Sequence, residues 1–221
     1  MKFKIAIIAF VLLFIQSCIP SLHPLWTQDK LIYEEKLLGT WEQQDADLLS
    51  VWNFSGGLDQ NTRLAKGYEL LYKEGKSEAK FDIHLVKLGE YLFFDIFPDE
   101  VDYLKFEGKS LAVPSSSFGI VKNDSKQPDI ELNSLYFQHL LPVHTFAKVE
   151  IEKDEVRIFR FDAEWLDKLF KERKVRIKHE TTEDGQVILT APSADLQKFF
   201  EKYAADEKAY LEPIILKRNP N

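Results

Sequence analysis

Cysteine is almost absent from this chain of 221 residues, since Cys18 is its single thiol. A disulfide within the chain is therefore excluded, and the fold has to be stabilised by its hydrophobic core. About 200 residues follow Cys18, and a chain of that length buries roughly 70% of the surface that it exposes when unfolded. The sequence is long enough to fold without a covalent cross-link.

Long hydrophobic runs are also scarce, and the longest one covers residues 5–15. Eleven residues rise only about 16 Å as a helix, whereas a membrane span needs about 20 apolar residues. Lys2 and Lys4 precede the run, and the small residue Ser17 follows it. A basic start, a short apolar middle and a small residue at the end are typical of a secretory signal peptide.

Ile15-Gln16-Ser17-Cys18 resembles the lipobox of bacterial lipoproteins. The resemblance implies that residues 1–17 are removed and that Cys18 carries a diacylglyceryl group, with its new amino group as a further acylation site. Several acyl chains hold a protein on a bilayer essentially permanently. The alternatives are an ordinary secretory signal with a chance cysteine and an uncleaved signal anchor. Ile19, in place of an aspartate, resembles a sorting signal for the outer rather than the inner membrane.

Basic residues are outnumbered, with 29 Lys and Arg against 36 Asp and Glu and a net charge of −7. Removal of residues 1–17 takes away Lys2 and Lys4 and no acid, which moves the formal charge to −9. Such a balance argues against a nucleic-acid partner and against peripheral adhesion to anionic headgroups. The acyl chains on Cys18 are therefore the expected membrane contact.

Recognisable catalytic motifs are missing, since the sequence has no serine nucleophile elbow and no phosphate-binding loop. The segment 179–183 contains His179 and Glu180 but lacks a second histidine one helical turn away, and its pattern predicts a strand. We therefore predict no metal and no cofactor, and we expect the protein not to be an enzyme.

The residues after Cys18 divide into two parts. Residues 18–36 are the predicted lipidated N-terminus and short tether, and Leu22, Leu25 and Trp26 indicate that the chain packs early. If ordering begins near Leu22, the folded body lies close to the membrane face. Residues 37–217 are predicted to form a single β-rich domain.

The predicted domain opens with Gly39-Thr40-Trp41, which resembles the Gly-x-Trp of lipocalin-type barrels. That resemblance implies that Trp41 closes one end of a barrel. Alternating apolar and polar residues then predict strands; they lie at about 48–54, 66–72, 80–85, 91–97, 136–152 and 155–161. The predicted fold class is mainly β (α+β): a lipocalin-like antiparallel β-barrel, or a strongly curved sheet, with two C-terminal helices packed on it.

Turn and cap signals complete the prediction. Two turns are predicted, at 55–57 and at 89–90, and a hairpin is predicted over 175–189. The helices are expected at about 162–173 and 193–207, capped by Asp162 and Ser193. An insertion is predicted at about 98–133, with one short element at 101–106, and residues 211–217 are expected to add an edge strand.

Three side chains are candidate ligand contacts: Trp41, Asp95 and His139. Asp95 lies on a largely apolar strand, so it is expected at a rim or inside a cavity, either bonded to a neighbouring strand or loop or touching a ligand. His139 falls on an apolar face, where it is either a satisfied core histidine or a residue for ligand contact or proton transfer. His144 falls on the polar side of its strand.

Five segments together resemble an uncharacterised family of bacterial lipoproteins; they are 22–27, 38–41, 84–89, 139–146 and 189–192. The resemblance implies an envelope location. It implies no activity, so no functional residue can be transferred from it.

Two hypotheses for the function remain open. The first is a barrel that binds an apolar or amphiphilic small molecule, which predicts a cavity of at least about 300 Å³ reached from one end. The alternative is a structural or interaction lipoprotein with a filled barrel, an exposed apolar patch and a protein partner in the cell envelope.

Overall fold

The structure is a computed structural model, and it describes residues 19–43, 49–59, 61–62, 64–75, 77–99, 105–106, 109–110, 142–183 and 185–219. Cys18 and His139 therefore lie outside the described residues. The strands are β1 (Pro20–Ser21), β2 (Gly39–Gln43), β3 (Ser50–Leu58), β4 (Ala65–Glu74), β5 (Ser77–Leu88), β6 (Tyr91–Pro98), β7 (Lys105–Phe106), β8 (Lys109–Ser110), β9 (His144–Ile151), β10 (Glu155–Arg160), β11 (His179–Thr181), β12 (Val187–Leu189) and β13 (Ile214–Arg218). The helices are α1 (Ala163–Lys171) and α2 (Ser193–Tyr203).

Eight antiparallel strands close into a barrel in the order β2-β3-β4-β5-β6-β9-β10-β13, with β13 returning to β2. This confirms the predicted fold class. Strand β9 has two neighbours on one side, since its first residues pair with β1 and its later residues pair with β10. From β1 the sheet continues outward through β12 to β11. The barrel therefore carries a three-stranded extension that begins with the first described residues.

The inward and outward positions follow from the alternation in the sequence. In β5, Phe81, Ile83 and Leu85 are buried in the barrel interior, while Val86 belongs to a second apolar cluster outside it. The two-residue turn Gly89-Glu90 joins β5 to β6 in a hairpin, which confirms the turn predicted at 89–90. Two cores result, one inside the barrel and one between its outer wall and the helices.

The glycine pair Gly56-Gly57 corrects a prediction, because strand β3 continues through it to Leu58 instead of turning. Both glycines have positive φ, 79° and 81°, and the register with β4 shifts between Gly56 and Leu58. A β-carbon on Gly57 would lie 2.3 Å from the ring of Tyr68. The pair forms a bulge that bends the strand and makes room for that ring.

The final strand corrects a second prediction. Residues Ile214–Arg218 lie between β10 and β2 and complete the barrel, so β13 is no edge strand. An apolar pattern identifies a strand but does not reveal its neighbours. In the hairpin predicted over 175–189, the paired strands are β11 and β12, and single backbone bonds extend the pairing to Lys178 and Thr182.

Both predicted helices are present; α2 ends at Tyr203, and a separate 3-10 turn, Glu207–Ala209, begins at the end of the range predicted for it. The Asp162 carboxylate accepts a hydrogen bond from the Glu164 amide at the start of α1, as predicted. For α2, the predicted Ser193 cap is wrong, because Pro192 occupies the cap position and makes no side-chain bond. The Lys148 ammonium donates to the Ala204 carbonyl at the end of α2 and lies 4.4 Å from the centre of the Tyr210 ring. One barrel lysine thus fixes the end of α2.

Within the predicted insertion 98–133, the described part beyond Asp99 is the β7–β8 pair. The rest lies outside the described residues, as do residues 136–141 of the predicted strand 136–152.

The close approach of Gly57 to the Tyr68 ring should make this position intolerant of a β-carbon. We expect Gly57→Ala to lower the free energy of unfolding by about 2–4 kcal/mol, because the new methyl meets the Tyr68 ring and the residue keeps a left-handed backbone. Gly185→Ala is the matched control. Gly185 also has a positive φ, 89°, but a β-carbon there has no neighbour within 4 Å. Chemical denaturation of both variants measures the difference, and equal losses would contradict a packing role for Gly57.

Candidate functional site

The barrel interior is filled with aromatic side chains. The ring centres of Trp52 and Tyr72 are 5.0 Å apart, and those of Phe54 and Phe94 are 5.8 Å apart. The described side chains of the fully buried interior cluster are each at most 6% exposed. The part of the interior that these side chains occupy is therefore packed rather than open.

Trp41, the residue predicted to close one end of the barrel, is the middle residue of β2 and belongs to the interior apolar cluster. It is fully buried, and its indole N–H donates to the Leu37 carbonyl at 2.9 Å. The Arg218 guanidinium lies over the indole, 4.1 Å from its centre, and donates to the carbonyls of Lys36, Leu38 and Lys153. The last strand is thereby fastened to the chain that enters the first barrel strand.

The hydroxyl of Tyr68 fixes the segment that leads into Trp41. It accepts a hydrogen bond from the Glu34 amide at 2.7 Å and donates to the Glu34 carbonyl at 3.3 Å. Burial raises the pKa of Tyr68 to about 12, so the hydroxyl keeps its proton at neutral pH.

Asp95 lies on the outer face of β6, fully buried beneath the N-terminal segment. One carboxylate oxygen accepts from the Leu25 amide at 2.7 Å and from the Trp26 amide at 3.4 Å. The other lies 2.7 Å from Nδ1 of His144. Of the predicted alternatives, the structure shows bonding to a neighbouring strand and to a loop. The carboxylate ties residues 25–26 to the barrel wall.

His84 lies beside this site, opposite Asp95 in the β5–β6 ladder. The indole of Trp26 stacks on its imidazole, with the ring centres 4.5 Å apart and the planes 9° apart. Its Nδ1 is buried and has no hydrogen-bond partner. Burial lowers the pKa of His84 below its ordinary value of 6.5; Asp95 opposes this shift and His144 adds to it. The imidazole is therefore held in its neutral form.

Ser21, His144 and Asp95 are adjacent, in an order that invites comparison with a catalytic triad. Ser21 pairs with His144 in the β1–β9 ladder. However, the Ser21 hydroxyl is fully buried and donates to the His23 carbonyl at 2.8 Å. A nucleophile needs both a base and access to substrate, so this arrangement fixes the chain turn instead.

Hairpin geometry contains a signal for part of this site. A two-residue turn at 89–90 places Leu88 opposite Tyr91 and therefore His84 opposite Asp95. The register set by this turn therefore predicts the His84–Asp95 pair from the sequence alone. No local pattern indicates that Trp26 and His144 join them, because those contacts connect distant segments.

The N-terminal segment is ordered from its first described residue. Ile19 is 6% exposed and belongs to the outer apolar cluster. Pro20 and Ser21 pair with β9, and the Leu22 amide donates to the Leu189 carbonyl at 2.9 Å. The sequence led us to expect ordering from about Leu22. In the structure, packing begins three residues earlier, at Ile19.

An open cleft of about 500 Å³ lies outside the barrel, between the segment 173–178 and helix α2. Its rim carries the basic side chains of Arg173, Lys174, Arg176, Lys178, Lys198 and Lys202. Asp195 is the acidic residue of the lining. The cleft is electropositive although the chain as a whole is acidic.

Comparison of the chain with protein-family models, with curated proteins and with solved structures finds no match. Within the described residues, no group of three or more His, Cys, Asp or Glu side chains is placed to hold a metal ion. None of the described helices has the length and apolar character needed to cross a membrane.

The first prediction from this site concerns Asp95. We expect Asp95→Ala to lower the free energy of unfolding by about 2–4 kcal/mol, because buried amides lose their charged acceptor. Hydrogen exchange at the Leu25 and Trp26 amides should accelerate. Asp29→Ala, which removes an exposed carboxylate from the same segment, should leave both quantities almost unchanged. An unchanged rate of hydrogen exchange at the Leu25 amide in Asp95→Ala would show that Asp95 does not hold this segment against the barrel.

A second prediction concerns pH. Because the pKa of His84 is lower in the folded chain, the unfolded chain binds the proton more readily. The contribution of His84 to stability is complete above about pH 6.5 and is lost as the pH falls below that value.

The test uses His84→Phe, which keeps an aromatic ring beside Trp26 but removes the titrating group. The advantage of the unsubstituted protein over this variant should shrink between about pH 8 and about pH 5. His23→Phe, at an exposed position, is the control. Denaturant titrations across the pH range give the result, and parallel curves for the two proteins would refute the assignment.

Proposed function

We propose that this chain is a lipid-anchored protein of the bacterial cell envelope, attached through acyl chains on Cys18 and carried on the outer rather than the inner membrane. Its barrel serves as a filled, rigid body, and its working surface is external. The supporting observation is the early start of packing: Ile19, the residue directly after Cys18, is already buried in the fold.

A lipid anchor on Cys18 would leave almost no linker between the membrane and the folded body. Consecutive α-carbons are about 3.8 Å apart, so a lipidated Cys18 would lie within one residue of the outer core. Lipoproteins that work at a distance from their membrane need a long solvated linker. This chain has none between Cys18 and Ile19, and the barrel would therefore sit against the headgroups.

The external working surface follows from the filled interior. The aromatic packing around Trp52 and Phe54 supports the alternative hypothesis over an apolar ligand held inside the barrel. The fold class itself remains compatible with ligand binding. Any small-molecule site is therefore better sought on the outer wall.

The described surface offers few strongly exposed apolar side chains for the predicted patch. Three large apolar side chains are strongly exposed there, Leu22, Leu49 and Leu64. Leu49 and Leu64 lie at opposite ends of the β3–β4 hairpin, because the Leu49 carbonyl bonds to Gly75 and the Leu64 carbonyl to Asp59. Leu22 follows β1. Leu49 and Leu64 therefore share no surface, and an envelope protein partner is expected to recognise polar groups as well.

The test is acylation in the bacterial host. The protein should incorporate labelled palmitate and lose residues 1–17, and globomycin, which inhibits lipoprotein signal cleavage, should cause a longer precursor to accumulate. Cys18→Ala should abolish both labelling and cleavage, because its side chain has no sulfur to acylate. Gln16→Ala, at the tolerant lipobox position, is the matched control and should be processed normally. Palmitate labelling that persists in Cys18→Ala would refute the proposal.

A further inference from the structure

The electropositive cleft between residues 173–178 and α2 is the feature that the proposed function does not yet use. Its floor is apolar, formed by Val175, Ile177 and Phe199, and its rim is basic. Ile177 and Phe199 are buried, whereas the rim cations are exposed. A site of this kind suits a ligand with an anionic group next to apolar atoms.

Several rim cations are free to bind an anion. Lys174 is paired with Glu172 at 2.7 Å and Lys198 with Asp195 at 3.4 Å. Among the residues that the structure describes, no carboxylate pairs with Arg173, Arg176 or Lys178. In a chain with net charge −7, such a cluster of unpaired cations draws anions to one place.

The cleft lies close to the proposed anchor. In the sheet extension, Ser21 of β1 is beside Leu189 of β12, which is beside His179 of β11. Neighbouring strands are about 4.8 Å apart, so β1 and β11 are about 10 Å apart. The floor residue Ile177 also shares its apolar cluster with Ile19. A leaflet that holds Cys18 would therefore be within reach of the rim.

The basic groups on the rim limit the class of ligand that the cleft can bind. A guanidinium presents paired N–H donors that match phosphate oxygens, and an ammonium adds a point charge. Phosphodiester headgroups are the phosphates that a leaflet offers next to apolar chains. We infer that this cleft binds the phosphate of an anionic phospholipid headgroup in the leaflet that anchors Cys18, which fixes the orientation of the barrel on the membrane. The inference rests on the proposed anchoring. The chain as a whole is acidic, so its net charge gives no indication of this locally basic site.

The test is native mass spectrometry of the full-length acylated protein in detergent. The probes are phosphatidylglycerol and phosphatidylcholine with identical acyl chains, supplied together at equal concentrations. We expect one phosphatidylglycerol to be retained in preference to phosphatidylcholine. In Arg176→Gln/Lys178→Gln that preference should fall by about tenfold or more, because two charge-assisted contacts are lost. Lys66→Gln/Lys80→Gln removes two exposed lysines from the barrel wall and should keep the preference.

Each other outcome is decisive. Equal retention of the two lipids would overturn the inference. Selectivity that survives Arg176→Gln/Lys178→Gln would also overturn it, because the lipid would then bind outside this cleft, for example in the barrel interior. A separate titration with inorganic phosphate gives a third outcome, since binding of free phosphate without lipid selectivity would also overturn it. Equal melting temperatures of the two double variants establish that folding is intact. Failure of acylation is detected separately, as a missing mass increment on Cys18.

Discussion

The carboxylate of Asp95 is the contact on which the arrangement of this molecule depends. A buried charge must be compensated by hydrogen bonds, and here the partners are two amides of the N-terminal segment and the imidazole of His144. The segment cannot leave the barrel wall without exposing that charge to an apolar environment or admitting water. Asp95 thereby holds residues 25–26, and backbone hydrogen bonds of Lys30 and Ile32 with β5 continue the attachment toward the first barrel strand.

This constraint connects the fold to the proposed function. Trp41 and Arg218 join the last strand to the chain that enters the first barrel strand, and Tyr68 holds that entering chain. Ile19, the first described residue, is part of the outer core. A pull on Cys18 would be transmitted directly to the sheet through β1, and the position of the basic cleft relative to the membrane would be set by the same short path.

Much of the barrel could be predicted from the sequence, because strands with one buried face alternate with a period of two. The hairpin at Gly89 and the helix that begins after Asp162 followed from local chemistry. The glycine bulge in β3 did not, since a glycine pair is compatible with either a turn or a bulge and the ring of Tyr68 decides between them. The barrel position of β13 depends on partners far away in the chain.

The candidate sites were less predictable for the same reason. Asp95 was recognisable as a buried acid, but its partners Leu25 and His144 are 70 and 49 residues away. The basic run 171–178 is visible in the sequence, whereas the two lysines that α2 adds from the other side are brought there by folding. Trp41 was predicted to close the barrel end, and the structure shows it buried beneath Arg218, the last residue of β13.

The central claim is that the folded body begins directly at the anchor and lies against the leaflet. Neutron reflectometry of the acylated protein on a supported bilayer measures this most directly. The account predicts protein density that starts at the headgroups, with a gap no greater than about 4–7 Å, the reach of one or two residues. A continuous water layer of about 20 Å or more between headgroups and protein would contradict it, since only a long linker would produce that layer.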